Sequence, residues 1–319
     1  MLLALLFLAT CFVAFTNGAN ANFKGVASLY GSGTTSLRVA LWWGTATTFL
    51  GGLAALYFAQ GLMKAFSGKG LVPDALTQSP HFLLAVALGG ALTSFLATRL
   101  SFPVSTTHAL AGALVGAGLA SGDHTVHLAA LGKTFLQPLL LSPILAIAVG
   151  AILYFLLKAV RLLPDHRTRT LDALHFLSGG AASFARGLND TPKMAALLLI
   201  AHALDIRWSI LAVAAMTAIG ALLDARNVAE TLAKRVTAMN PGEGFAANLS
   251  TALLVSTASY YSLPVSTTHV SVGSMLGIGI ITRQAKWRTI RQIILSWLIT
   301  VPCGAALAAL LALLLAALK

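Results

Sequence analysis

Charge is scarce in this chain. Only 9% of its 319 residues are charged, and acidic residues number 9 against 21 lysines and arginines. A soluble domain carries about 25% charged residues. A chain that is 57% hydrophobic, with mean hydropathy +0.84, cannot keep such a surface in water. A soluble globular fold is therefore excluded. Cysteine is nearly absent too. Cys11 and Cys303 both lie in apolar segments, where they read as buried thiols of no special role. Also missing are Gly-x-Ser-x-Gly, a Walker motif, His-Glu-x-x-His and any metal-type Cys/His cluster. No enzyme signature remains, and neither a metal nor a cofactor is expected. Barrel-type alternation is lacking as well, and Leu/Ala runs dominate, which leaves helices.

Apolar runs that suffice, or nearly so, to cross ~30 Å of hydrocarbon lie at Leu37–Leu62, Phe82–Ala97, Phe135–Leu157, Trp208–Ala225 and Ile293–Leu318. Met1–Phe15 has no basic start and runs straight into a polar motif, so it reads as a first membrane half-helix, not a signal peptide. The net charge of +12 does not point to nucleic acid. Lys158, Arg161, Arg167 and Arg169 form one basic link, and Arg283, Lys286, Arg288 and Arg291 another, as cytoplasmic loops do. Trp42, Trp43, Trp208, Trp287 and Trp297 suit interface anchors in membrane lipid. Gly51-Gly52 and Gly89-Gly90 suit close helix packing. Asp224–Asn240 is polar and amphipathic, with Asp224, Arg226, Glu230, Lys234 and Arg235 on a solvated or interfacial face.

What the chain does have is repetition. Ser-Phe-Pro-Val-Ser-Thr-Thr-His at Ser101–His108 returns 161 residues later as Ser-Leu-Pro-Val-Ser-Thr-Thr-His at Ser262–His269. Phe15, Gly18, Asn20 and Lys24 return at an offset of 169 as Phe184, Gly187, Asn189 and Lys193. The chain divides into a first repeat over 1–159, a cytoplasmic link over 160–170 containing Pro164, and a second repeat over 171–319. The link Ser121–Lys133, with Asp123, His124 and His127, is not basic, whereas its counterpart Thr282–Arg291 is. That asymmetry places the halves in opposite orientations, with both termini outside. The expected fold is an all-α integral membrane protein of two inverted-topology repeats, with broken helices and re-entrant hairpins. Polar motifs duplicated inside apolar segments are the mark of a secondary transporter.

The Ser-Thr-Thr tract suits the tip of a hairpin. Proline breaks a helical ladder but is welcome at the first turn of a new helix, and Ser and Thr suit helix starts. Each tip offers backbone N–H groups, a positive dipole end and three hydroxyls: Ser105, Thr106, Thr107 and Ser266, Thr267, Thr268. Such a set holds an oxyanion; helix bending is the alternative use. His108 and His269 read as turn stabilisers through a backbone bond in preference to proton carriers. Asn17–Asn22 and Arg186–Pro192 read as helix breaks, tolerated at membrane depth only against protein or a cavity. Lys24 and Lys193 need a partner or a task there, with snorkelling to the interface as the alternative, and their matching places favour cationic walls of an anion site. Asn20 and Asn189 supply donors and acceptors. Asp190 pairs with Lys193, accepts a hydrogen bond from a protonated oxyanion, or carries a coupling proton. A purely structural ion pair with Lys193 or Arg186 is the competing account. An intramembrane enzyme with a Ser/Thr nucleophile beside His108 or His269 is disfavoured by the paired tracts, and a passive anion channel is a third class.

These residues together resemble the inorganic phosphate transporter (PiT) family, whose relatives include the sodium–phosphate symporters of animals. Gly18-Ala19-Asn20 and Gly187-Leu188-Asn189-Asp190 match its Gly-Ala-Asn-Asp signature, and Pro103–His108 and Pro264–His269 its second motif. Arg226–Thr231 and Gly244–Ala247 resemble a further stretch of its second half. The resemblance implies a homodimer, inverted repeats, and an anion site lined by Asn20, Asn189, Asp190 and both Ser-Thr-Thr triplets. Its implied activity is phosphate transport, with sulfate as the alternative substrate. Two departures stand out. Ala21 occupies the place of the family's aspartate, and Lys24 and Lys193 replace an asparagine usual in sodium-coupled members. An ammonium there repels a sodium ion and supplies its charge, so the expected coupling ion is H+ in preference to Na+.

Overall fold

The computed structural model describes residues 1–122, 126–162, 167–200, 204–235 and 239–318. Asp123, His124 and Pro164 lie outside them, as do the side chains of Lys234 and Arg235. The described residues are almost all helical, with an isolated bridge between Lys69 and Val72. The first half contains α1 (Leu2–Ala21), α2 (Ala27–Gly31), α3 (Leu37–Phe58), α4 (Gln60–Ala65), α5 (Asp74–Thr77), α6 (Pro80–Arg99) and α7 (Thr106–Ala120). It closes with α8 (Leu128–Leu131), a π turn and α9 (Gln137–Ala159). The second half contains α10 (Arg169–Ile200), α11 (Ile206–Asp224), α12 (Arg226–Arg235), α13 (Pro241–Tyr260), α14 (Thr267–Ile281) and α15 (Trp287–Ala317). Among the described residues, six stretches are long and apolar enough to cross a membrane: 2–25, 37–58, 80–99, 129–159, 206–224 and 287–317.

The halves interlock by exchanging partners. The first helix of each packs on the second long helix of the other, α1 on α11 and α10 on α3. The tip helices do the same with the closing helices, α7 on α15 and α14 on α9. Glycine makes the approach possible. A Cβ on Gly18 would lie 1.9 Å from the Thr217 carbonyl oxygen, and one on Gly187 would lie 2.0 Å from that of Thr48. Gly220 meets the Phe15 carbonyl as Gly51 meets that of Phe184. All four contacts map onto one another at the offset of 169 found in the sequence. Gly112 and Gly116 meet Val301 and Ala305 on α15, and Gly273 and Gly277 meet Pro143 and Ile147 on α9. With little apolar driving force between helices in lipid, contact of this closeness is what holds them together.

Of the expected helix breaks, the first is displaced: α1 stays helical through Asn17–Ala21 and gives way to a 3-10 turn only at Asn22–Gly25, before α2 begins. The Asn22 amide donates to Thr45 Oγ1 (3.0 Å), and Gly25 lies so close to Ser183 that a Cβ would sit 2.3 Å from its hydroxyl. In the second half α10 runs unbroken through Arg186–Pro192, contrary to the expectation from sequence. Pro192 removes one ladder bond, a cost of ~3 kcal/mol. The helix keeps its path because α3 and α13 both pack along it, and because buried Met194 stands where the first half has Gly25. Trp43 donates to the Phe176 carbonyl (2.9 Å), and Trp297 packs on His269. Both cysteines are free thiols.

If the glycine contacts set the packing, Gly187→Ala is expected to destabilise the protein by about 1–3 kcal/mol through overpacking. Gly132→Ala, with nothing within 4 Å of the added Cβ, is expected to leave the thermal unfolding midpoint of the detergent-solubilised protein in place.

Candidate functional site

Two hairpins build the site. α6 and α7 are joined by an elbow over 100–105, and α13 and α14 by an elbow over 261–266. Ser101 and Ser262, at matching places, take the left-handed conformation with φ of 60° and 59°. Pro103 and Pro264 stand in the extended part of each elbow, two residues before the helix cap, where a first-turn position was expected from sequence. Ser105 and Ser266 are the caps, each accepting from the backbone N–H three residues on, of His108 and His269 respectively (both 3.2 Å). This satisfies an orphan donor of each new helix. Their hydroxyls thus fix the helix starts.

The asparagines position the elbows. The Asn20 amide donates to Thr98 Oγ1 (3.1 Å) and to the Phe102 carbonyl (2.9 Å), and its Oδ1 accepts from the Val104 N–H (2.9 Å). Asn189 donates to Ser259 Oγ (2.9 Å), the counterpart of Thr98, and its Oδ1 accepts from Lys193. Each lysine then staples its own elbow to the opposite tip. Lys24 Nζ donates to the Val104 carbonyl (2.7 Å) and to Thr268 Oγ1. Lys193 Nζ donates to the Val265 carbonyl (2.8 Å) and to Thr107 Oγ1 (2.8 Å).

The remaining two threonines meet at one carboxylate. Thr267 Oγ1 donates to Asp190 Oδ2 (3.2 Å). Asn17 Nδ2 donates to Thr106 Oγ1 (2.8 Å) and reaches Asp190 Oδ2 at 3.4 Å. Lys193 Nζ lies 3.2 Å from Asp190 Oδ1, and Arg186 Nε lies 3.7 Å from Oδ2. Arg186 also donates to the Asn17 carbonyl (3.2 Å) and side chain, yet its Nε finds no hydrogen-bond acceptor. The first half has no carboxylate at this place, since Ala21 is the counterpart of Asp190.

Charge does not balance here. Lys24, Arg186 and Lys193 are 2%, 2% and 1% exposed, against one buried carboxylate, Asp190. The other buried carboxylate among the described residues, Glu243, closes the capping box of α13 with Asn240. An isolated buried cation is strongly disfavoured. Three of them lie beside one carboxylate, with two helix N-termini adding their dipoles, so positive charge is in excess here.

Comparison with known proteins agrees with this chemistry. A sequence model described as the phosphate transporter family matches residues 17–308. The chain belongs to the phosphate transporter family. Two relatives, from Rhizobium meliloti (strain 1021) and Bacillus subtilis (strain 168), are each named "Probable low-affinity inorganic phosphate transporter" and are each 27% identical to it. The first match covers 94% of this chain and 92% of the relative, the second 97% and 96%. A solved structure named "The sodium-dependent phosphate transporter" shares the fold, with a TM-score of 0.88, 21% identity and full coverage of both chains. The family consists of transporters, not enzymes, and this transporter is a multi-pass membrane protein.

Of the residues singled out from sequence, Lys24, Thr106, Thr107, Asp190, Lys193, Thr267 and Thr268 meet in the central network. Asn20 and Asn189 lie one layer out, holding elbows, and Ser105 and Ser266 are caps. Asn17 and Arg186, which sequence reasoning did not single out as ligands, join the same network. Their signal was the offset of 169 itself: Arg186 stands where the first half has Asn17, four residues before Asp190.

Asp190→Asn is expected to destabilise the transporter by about 3–5 kcal/mol, because it strips three buried cations of their counter-charge. Saturating phosphate is expected to raise the thermal midpoint of this variant more than that of the native protein. Equal shifts would separate Asp190 from the anion centre.

Proposed function

We propose that the chain is a secondary active transporter of inorganic phosphate that binds the anion near the bilayer midplane between the Thr106 and Thr267 tips, driven by protons in preference to sodium. The observation that carries this reading is the surplus of buried positive charge at two converging helix starts. The phosphate oxygens take tip N–H groups, the threonine hydroxyls and the ammonium groups of Lys24 and Lys193. Phosphate keeps a proton at neutral pH and needs an acceptor, which Asp190 supplies. Sulfate is the competing substrate, because Ala21 leaves one carboxylate where the family signature has two and sulfate has no proton to place.

The lysines support sodium independence. Each Nζ donates to one backbone carbonyl and one threonine hydroxyl, and that of Lys193 also to Asn189 Oδ1 and Asp190 Oδ1, oxygen ligands of the kind hard cations take. A tethered ammonium there repels a free cation. Sodium dependence is a property of the solved relative, and at 21% identity the likeness to it extends to the fold alone. In this reading the halves over 1–159 and 171–319 are inverted repeats joined on the cytoplasmic side, and the unit carrying both tips moves against the remaining helices. A homodimer in the bilayer is the assembly the family resemblance implies.

Three measurements follow. Lys193→Ala is expected to abolish phosphate binding in calorimetry while the protein stays folded; unchanged binding would leave the lysine a structural role. In proteoliposomes an inward proton gradient is expected to drive accumulation of labelled phosphate, and a sodium gradient alone is not. Sulfate in excess is expected to leave phosphate uptake largely intact; strong competition would favour the sulfate reading.

A further inference from the structure

One pair of buried titratable groups lies outside the network just described. His108 and His269 each follow a lysine-bound threonine by one residue, so each ring leaves its helix about 100° round from that hydroxyl. The two rings face each other across α7 and α14 with centroids 4.6 Å apart. Both residues are more than nine-tenths buried. His269 Nδ1 lies 3.0 Å from the Leu139 carbonyl of α9. A carbonyl only accepts, so Nδ1 carries the hydrogen and Nε2 is left with a bare lone pair. That Nε2 has no partner, and neither has His108 Nδ1. The expected backbone bond is thus present on His269, but it reaches a helix of the other half and not its own turn.

The pair lines a cavity of about 560 Å³ between α9, α14 and α15, whose other walls are apolar, among them Leu139, Pro143, Ile290 and Trp297. Of the lining residues the two histidines alone are titratable. α7, α9, α14 and α15 bring no other ionisable side chain to it. From deeper in, the charges that bear on the rings are Lys193 of α10 for His108 and Lys24, after α1, for His269. The Trp297 ring packs on His269 with centroids 3.9 Å apart.

We infer that the His108–His269 pair is the proton-binding site that couples proton movement to anion movement in this transporter. The proton enters from water on one face, forms an N–H bond with the free ring lone pair, and is returned to water on the other face when that bond breaks. No other bond changes. The inference rests on the proton-driven reading above. Its coupling is electrostatic. An imidazolium beside Lys24 and Lys193 suffers like-charge repulsion, and a bound oxyanion cancels those charges. Anion occupancy therefore favours proton occupancy, and by linkage the reverse holds to the same degree. Doubly loaded and doubly empty states are the ones that the pair favours, which is what symport requires.

The test uses His269→Asn, whose side-chain N–H keeps the bond to Leu139 while the Nε2 lone pair is removed, and His108→Gln. An imidazolium in ring contact quenches indole emission more than neutral imidazole does. Inorganic phosphate added at mildly acid pH to the native protein in lipid nanodiscs is expected to quench tryptophan emission through Trp297. H269N is expected to lose that quenching and still bind phosphate, with an affinity that no longer gains from the proton at the pair. Native protein that binds phosphate without quenching, or equal quenching in H269N, overturns the inference. In proteoliposomes both variants are expected to keep phosphate–phosphate exchange and to lose accumulation driven by a pH gradient. Variants that accumulate phosphate as the native protein does overturn the histidine site while proton coupling stands. Native protein that accumulates phosphate in a sodium gradient and not in a pH gradient overturns the coupling reading first, and the pair with it. A variant that loses exchange is judged on binding and emission, which need no turnover.

Discussion

Everything in the centre of this protein answers to one electrostatic imbalance: three buried cations share one buried carboxylate. Water would solvate such charges, and lipid would not. The chain meets the cost by giving each cation several oxygen acceptors. Lys24 and Lys193 take a carbonyl and a threonine apiece, and Arg186 takes both oxygens of Asn17. Neutral oxygens take most of the hydrogen bonds of the three cations, and a single carboxylate, Asp190, serves both Lys193 and Arg186. In the proposed reading neutralisation is left to an anion, which membership in the phosphate transporter family makes chemically sensible.

The imbalance would be useless if the two tips were not brought to the same place. Exchange of partners between the halves does this. α1 lies on α11 and α10 on α3, so the segments carrying Lys24 and Lys193 are drawn together by glycine contacts that tolerate no added methyl group. α7 and α14 are likewise clamped by α15 and α9. Because Lys24 crosses to Thr268 and Lys193 to Thr107, neither half can form its share of the site alone. Duplication thus ties the halves together: each copy supplies a threonine hydroxyl to the other copy's lysine.

Repetition made much of this legible in the sequence. Eight residues returning with one change identified both tips, and the paired lysines stood out because an ammonium in an apolar run needs a reason. What was not legible depends on tertiary context. Arg186–Pro192 carries glycine, asparagine and proline, all signals of a break, yet α10 stays helical because its neighbours hold it. Asn20 has the chemistry of a ligand, but its amide is consumed by the elbow at Phe102 and Val104. Arg186 looked like a partner for Asp190 and proved also to bind Asn17. The histidines were read as turn fixtures, since no sequence pattern reveals that two rings 161 positions apart will face each other.

The central claim is that a phosphate oxygen lies against the lysine ammonium groups between the two tips. Phosphorus–nitrogen dipolar recoupling by solid-state NMR tests it directly, on protein labelled with ¹⁵N at lysine Nζ and reconstituted in lipid with inorganic phosphate. The account expects phosphorus to dephase a lysine ammonium signal, and that effect to vanish in Lys24→Arg/Lys193→Arg. Dephasing that survives the double replacement, or none in native protein shown to bind phosphate, would contradict it.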